Sequence, residues 1–164
     1  MSMRCLVRPL VRLVLAGVLA SEFPLAAAEP TLRAGAAQVI ITPPAGAPMA
    51  GYYHLRGAED TLDDLFAKTL VLDDGTTTIA LVTLDLISTT FSLTREARAE
   101  IEKLTGIPAA HVMLSATHAH TGPELADRGL RGALFSDAST PTNSLTTTYS
   151  DRLPKLIAES VRQA

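Results

Sequence analysis

The sequence predicts an α/β fold, a layered mixed β-sheet with flanking helices. Three observations carry this. An Asp73-Asp74-Gly75 turn signal joins two apolar, β-branched runs, the pattern of an antiparallel hairpin. A helix-spaced stretch then separates the second of those runs from another short apolar run, and a strand–helix–strand connection makes a parallel pair. A further helical pattern closes the chain. Antiparallel and parallel pairing in one chain of 164 residues make one mixed sheet, in a single domain or a piece of one.

The elements follow in order. Ala36 to Ile41 turns β-branched toward its end, and Thr42-Pro43-Pro44 stops it, because proline cannot donate to a ladder. From Ala45 to Asp60 the chain holds Gly46, Pro48, Gly51 and Gly57 without a period. Such a long loop in a compact domain is often functional. Leu65–Leu72 and Thr76–Leu86 are the two hairpin strands. Ser92 or Thr94 caps a helix running to about Leu104, with Leu93, Ala97, Ile101 and Leu104 on its apolar side. Gly106 ends it, and Pro108 prevents its continuation. His111–Ala116 is a short strand, and Gly129–Thr142 is rich in Gly, Ser and Thr with no period. Tyr149–Val161 is the final helix, with Pro154 expected near its first turn. The strands around Ile79–Leu84 and Val112–Ala116 are nearly all apolar, which predicts burial on both faces.

Composition narrows the function. A hydrophobic fraction of 47% with 19% charged residues excludes a disordered chain. A net charge of −3 lacks the basic excess of a nucleic-acid binder, so no nucleic acid is expected as partner. Cys5 is the one cysteine, so neither an internal disulfide nor a cysteine-held zinc is available. Arg4, Arg8 and Arg12, the apolar stretch Leu10–Ala20 and the small residues Ala26-Ala27-Ala28 have the layout of a secretory signal peptide over residues 1–28. The competing reading is an uncleaved N-terminal anchor. Cleavage after Ala28 would remove three of the 14 basic and one of the 17 acidic residues, leaving a net charge of −5 and no cysteine. The expected location is secreted or periplasmic.

The main chemical signal is Ser115-Ala116-Thr117-His118-Ala119-His120-Thr121-Gly122-Pro123, just past the carboxyl end of a strand. In open α/β sheets ligands bind at that edge. In an extended chain residues i and i+2 face one side, so His118 and His120 can share a metal, or one can bind it while the other meets substrate. Zinc suits neutral imidazole, and bound zinc lowers the pKa of water to about 7. The competing reading is two solvated loop histidines. Asp85, at the end of the neighbouring strand, could accept a histidine ring N–H or cap a neighbouring turn or helix. His54 is expected to be exposed and His111 structural; Asp63-Asp64 and Asp73-Asp74 are expected to be turn residues. No G-x-S-x-G, phosphate loop, H-E-x-x-H or C-x-x-C occurs.

Five segments, in this order, resemble the N-terminal part of the neutral/alkaline (non-lysosomal) ceramidases: Ala34–Pro44, Met49-Ala50-Gly51-Tyr52, Leu65–Gly75, Leu81–Leu86 and Leu114–Pro123. The T-H-x-H-[ST]-G-P block is the most specific of them. The resemblance implies a zinc-dependent amidase that hydrolyses the N-acyl bond of ceramide to sphingosine and fatty acid. It implies His118 as a zinc ligand and His120 as a catalytic residue beside the metal; Asp85 is a further candidate catalytic residue from its position at the strand end alone. The family's other ligands, a histidine, a glutamate and a tyrosine, have no matching position here. Residues 29–164 are therefore expected to be the N-terminal portion of a catalytic domain and inactive alone. Pro123 is followed by Glu124-Leu125, where the family often has two glycines, and Leu62 stands where it often has a histidine. The expected partner is a sphingolipid or other N-acyl amide substrate, with association at a membrane surface. The alternatives are a hydrolase of the same fold acting on another amide or ester, and a non-catalytic exported binding module.

Overall fold

The computed structural model describes residues 31–52, 54, 56–126 and 144–164. The signal-peptide expectation over 1–28 and the Gly-, Ser- and Thr-rich stretch 129–142 lie outside the described residues. β1 (Arg33–Ile40), β2 (Phe66–Asp73), β3 (Thr78–Leu84) and β4 (Val112–Ala116) form one sheet in the order β1-β2-β3-β4. The first three are antiparallel, and β4 runs parallel to β3 with Leu84 opposite Ala116.

The hairpin between β2 and β3 closes with Asp73 opposite Thr78. Gly75 takes φ +86° in the turn, which its missing side chain permits. The Asp73 and Asp74 carboxylates accept the N–H groups of Gly75, Thr76 and Thr77. Those bonds hold both carboxyls below their ordinary value. Both are turn residues, as the sequence predicts.

Helix α1 (Phe91–Thr105) joins β3 to β4. Its N-cap is Thr90, whose hydroxyl accepts from Leu93 N, two residues before the Ser92 and four before the Thr94 expected. Gly106, in the left-handed region at φ +77°, ends it. Leu93, Ala97 and Ile101 are buried, whereas Leu104 is 48% exposed and lies off the core stripe. A short 3₁₀ turn, Ala109–His111, leads into β4, and His111 Nδ1 bonds Thr78 O at 3.1 Å, the structural role expected of it.

Helix α2 (Ser144–Gln163) is longer than expected, and Pro154 lies in its interior rather than its first turn. Its ring removes one helical hydrogen bond to the carbonyl four residues back. The site is buried against the core, where packing compensates. Leu153, Ile157, Ala158 and Val161 of α2 pack with Leu93, Ala97 and Ile101 of α1 onto Ala80, Val82, Leu84 and Val112 of the sheet. Two polar bonds lock this layer. Tyr149 Oη donates to Ile41 O at 2.7 Å, and Thr69 Oγ1 shares a 2.7 Å bond with Ser160 Oγ. Burial pushes the Tyr149 phenol up from its ordinary value.

Both helices contribute to one core, on the face of the sheet that carries Ala67, Thr69, Ala80, Val82 and Leu84. On the opposite face, Met113 of β4 departs from the burial on both sides expected of the two parallel strands. Strand alternation sends Ile40, Leu70 and Met113 there, and they are 52%, 38% and 53% exposed. Among the described residues no helix is long and apolar enough to cross a membrane.

Candidate functional site at the ends of β3 and β4

The parallel register brings the carboxyl ends of β3 and β4 side by side, and both histidines emerge from that edge. Beyond the strands the two chains stay tied. Thr117 N donates to Leu84 O at 2.9 Å and Ala119 N to Leu86 O at 3.1 Å. The histidine segment is held from its other side by the Gly-rich loop. Ala50 N donates to Gly122 O at 2.9 Å, Glu124 N to Pro48 O at 2.7 Å, and Met49 bridges Pro123. The loop between β1 and β2 is thus tied to the histidine segment.

His118 and His120 come together, with ring centroids 4.9 Å apart in an edge-to-face arrangement. The route differs from the extended chain expected. β4 ends at Ala116, and His118 takes φ +65°, the one positive value outside glycine among the described residues. A non-glycine residue held there carries backbone strain of a kind that collects at functional sites. His118 Nδ1 bonds Ile87 O at 2.8 Å, and His120 Nδ1 bonds Gly51 O at 3.2 Å. A carbonyl oxygen only accepts, so each ring donates from Nδ1. In the neutral imidazoles this leaves both Nε2 atoms as bare lone pairs, on exposed side chains.

Asp85 is placed differently from the histidine-orienting role considered for it. Its Oδ2 accepts the Phe66 N–H at 3.0 Å and faces Lys68 Nζ at 3.3 Å; Thr117 Oγ1 lies 3.5 Å from its Oδ1. The carboxylate braces the start of β2 against the end of β3, and backbone carbonyls orient the imidazoles instead. This bracing of strands is neither the histidine-orienting contact nor the turn or helix cap considered for Asp85. His54 is exposed, as expected, with its ring centroid 6.2 Å from that of Tyr52.

The two bare Nε2 atoms are suitable donors for a divalent metal such as zinc. They supply only part of a four-coordinate set. Among the described residues no group of three or more His, Cys, Asp or Glu side chains is placed to hold a metal. A separate cavity of about 190 Å³ lies between the start of α1 and α2, lined by residues that include Thr90, Glu96, Leu125 and Asp151, and neither histidine borders it.

Comparison with solved structures finds this architecture in the neutral ceramidases. The neutral ceramidase from Pseudomonas aeruginosa matches with a TM-score of 0.64 at 20% identity, over 81% of this chain. This chain has the fold of one part of the neutral ceramidases. A ceramidase complexed with C2 matches with a TM-score of 0.62 at 21% identity, again over 81% of this chain. The match covers 21% of the length of either ceramidase. No protein-family model matches the sequence. No curated protein matches it either.

Sequence reasoning singled out the two histidines that the structure brings together. It missed the carbonyls of Ile87 and Gly51, because a backbone oxygen has no residue-type signature. Gly51 alone left a trace, as part of the Met49–Tyr52 segment.

Proposed function

We propose that this chain is the N-terminal part of a zinc-dependent amide hydrolase, exported from the cytoplasm, that cleaves the N-acyl bond of ceramide or a closely related lipid amide. One observation carries the reading. Two imidazoles at the carboxyl ends of parallel strands are each held through Nδ1, with Nε2 free, in a chain with the fold of one part of the neutral ceramidases.

Zinc, when bound, supplies a Lewis acid and water acidified to near neutrality. His118 offers Nε2 as one ligand, and the Ile87 carbonyl fixes the tautomer that makes this possible. His120, oriented by Gly51 O, also presents a lone pair. As a neutral ring it accepts a proton as the nucleophile forms. As imidazolium it then donates to the developing oxyanion or the leaving amine. The remaining ligands would come from polypeptide beyond this chain, so residues 29–164 alone are expected to be inactive. A lipid amide substrate would bring the protein to a membrane surface.

The test is His118→Ala in protein carrying the complete catalytic domain, with zinc content and turnover of N-acylsphingosine measured together. Loss of both is expected. Unchanged zinc and turnover would overturn the proposal. A panel adding short N-acyl amino compounds and esters separates ceramide from another substrate of the same fold.

A further inference from the structure

We propose that Gly51 is the positioning residue for His120: its carbonyl fixes the imidazole's tautomer, and its lack of a side chain leaves the space in which the ring sits beside His118. The inference rests on the reading of the histidine pair as the reacting site.

The geometry is specific to this glycine. A Cβ at Gly51 would lie 2.6 Å from His120 Nδ1, 2.7 Å from Cγ and 3.0 Å from Cβ. These are overlaps with the near end of the side chain, which rotation about its outer bonds does not relieve. Gly51 also takes φ +90°, unfavourable for an L side chain. Gly46 and Gly75 share that backbone region at +81° and +86°, yet a Cβ at Gly46 would come no closer than 3.6 Å to a Leu145 methyl, and one at Gly75 would meet nothing within 4 Å. Those two glycines answer to the backbone alone, whereas Gly51 answers to the backbone and to the imidazole.

The surrounding bonds keep Gly51 and His120 face to face. Ala50 N on Gly122 O and Glu124 N on Pro48 O make the Gly-rich loop and the histidine segment a short ribbon, so neither side can withdraw to admit a methyl group without breaking it. His118 depends on Ile87 O, at the other side of the segment. The two rings of one site are therefore set by two independent stretches of backbone, and a change at Gly51 acts on His120 selectively.

The experiment uses the 164-residue chain labelled with ¹⁵N-histidine and long-range ¹H–¹⁵N correlation, read without metal or substrate. The wild type is expected to show His118 and His120 each protonated at Nδ1. Gly51→Ala is expected to leave His120 with mixed tautomers while His118 keeps its own; Gly75→Ala, equally strained in backbone, is expected to change neither. Thermal melts of Gly51→Ala with His120 and with His120→Ala guard against a simple loss of folding. The melting-temperature drop should shrink to that of Gly75→Ala once the imidazole is gone. An unchanged His120 tautomer in Gly51→Ala, or an equal drop in both backgrounds, would overturn the proposal. Zinc titration of protein carrying the complete catalytic domain reports separately: a locked tautomer with no zinc response counts against the metal reading and leaves the role of Gly51 standing.

Discussion

Asp85 accepts the Phe66 N–H and faces Lys68, so Asp85→Asn removes a charge while keeping an acceptor at the same place. A hydrogen bond to a charged acceptor is worth about 1.5–3 kcal/mol and a neutral one about 0.5–1.5, so the Phe66 bond should lose about 1 kcal/mol. The Lys68 side chain is 53% exposed, and such a pair contributes less than about 1 kcal/mol. The total cost is about 1–2 kcal/mol. For a chain of this length that lowers Tm by about 3–6 °C. Circular dichroism melts measure the loss, and zinc binding by the same variant of protein carrying the complete catalytic domain measures the site. A lower Tm with zinc binding retained is expected, because the imidazoles are oriented by Ile87 and Gly51. An unmoved Tm with zinc binding abolished would refute the bracing role and return Asp85 to the chemistry.

Acid should weaken the fold in a defined window. Hydrogen bonds from Arg162 and then Gln163 hold the Glu159 carboxyl down at about 2. Asp73 is lowered first by the Gly75 N–H, and Asp74 by those of Thr77 and Thr76. Folded-state values below the unfolded ones give stability that is full above the ordinary carboxylate range and is lost as pH falls through it toward about 2. Melts at decreasing pH should show that fall, and Glu159→Gln should make it shallower; an identical slope would contradict the assignment. On the open sheet face, Leu70→Lys with Met113→Lys should suppress self-association in sedimentation velocity while moving Tm by no more than about 2 °C, as for ordinary surface changes. A large drop in Tm would mean that these side chains belong to the core.

Much of this fold is legible because local chemistry and tertiary structure agree. Asp73-Asp74-Gly75 is a turn by its own hydrogen bonds, and Leu93, Ala97 and Ile101 mark the buried side of α1 by spacing alone. Where the reading missed, tertiary context had the deciding weight. Pro154 signals a first turn locally, but α2 begins ten residues earlier and buries the proline against the core. Met113 belongs to an apolar run, yet strand alternation sends it to the uncovered face. His118 and His120 do face one another, through a left-handed residue that extended-strand periodicity does not describe. Asp85 stands where a histidine-orienting carboxylate would stand, but the N–H of Phe66, nineteen residues away in sequence, reaches it.

The most direct measurement is a zinc titration of ¹⁵N-histidine-labelled protein carrying the complete catalytic domain, followed ring by ring. The expected result is a shift at His118 Nε2 with its Nδ1 proton still on Ile87 O, and no change at His54 or His111. A response confined to His54 or His111, or none at His118 under excess zinc, would contradict the placement of a metal at the ends of β3 and β4.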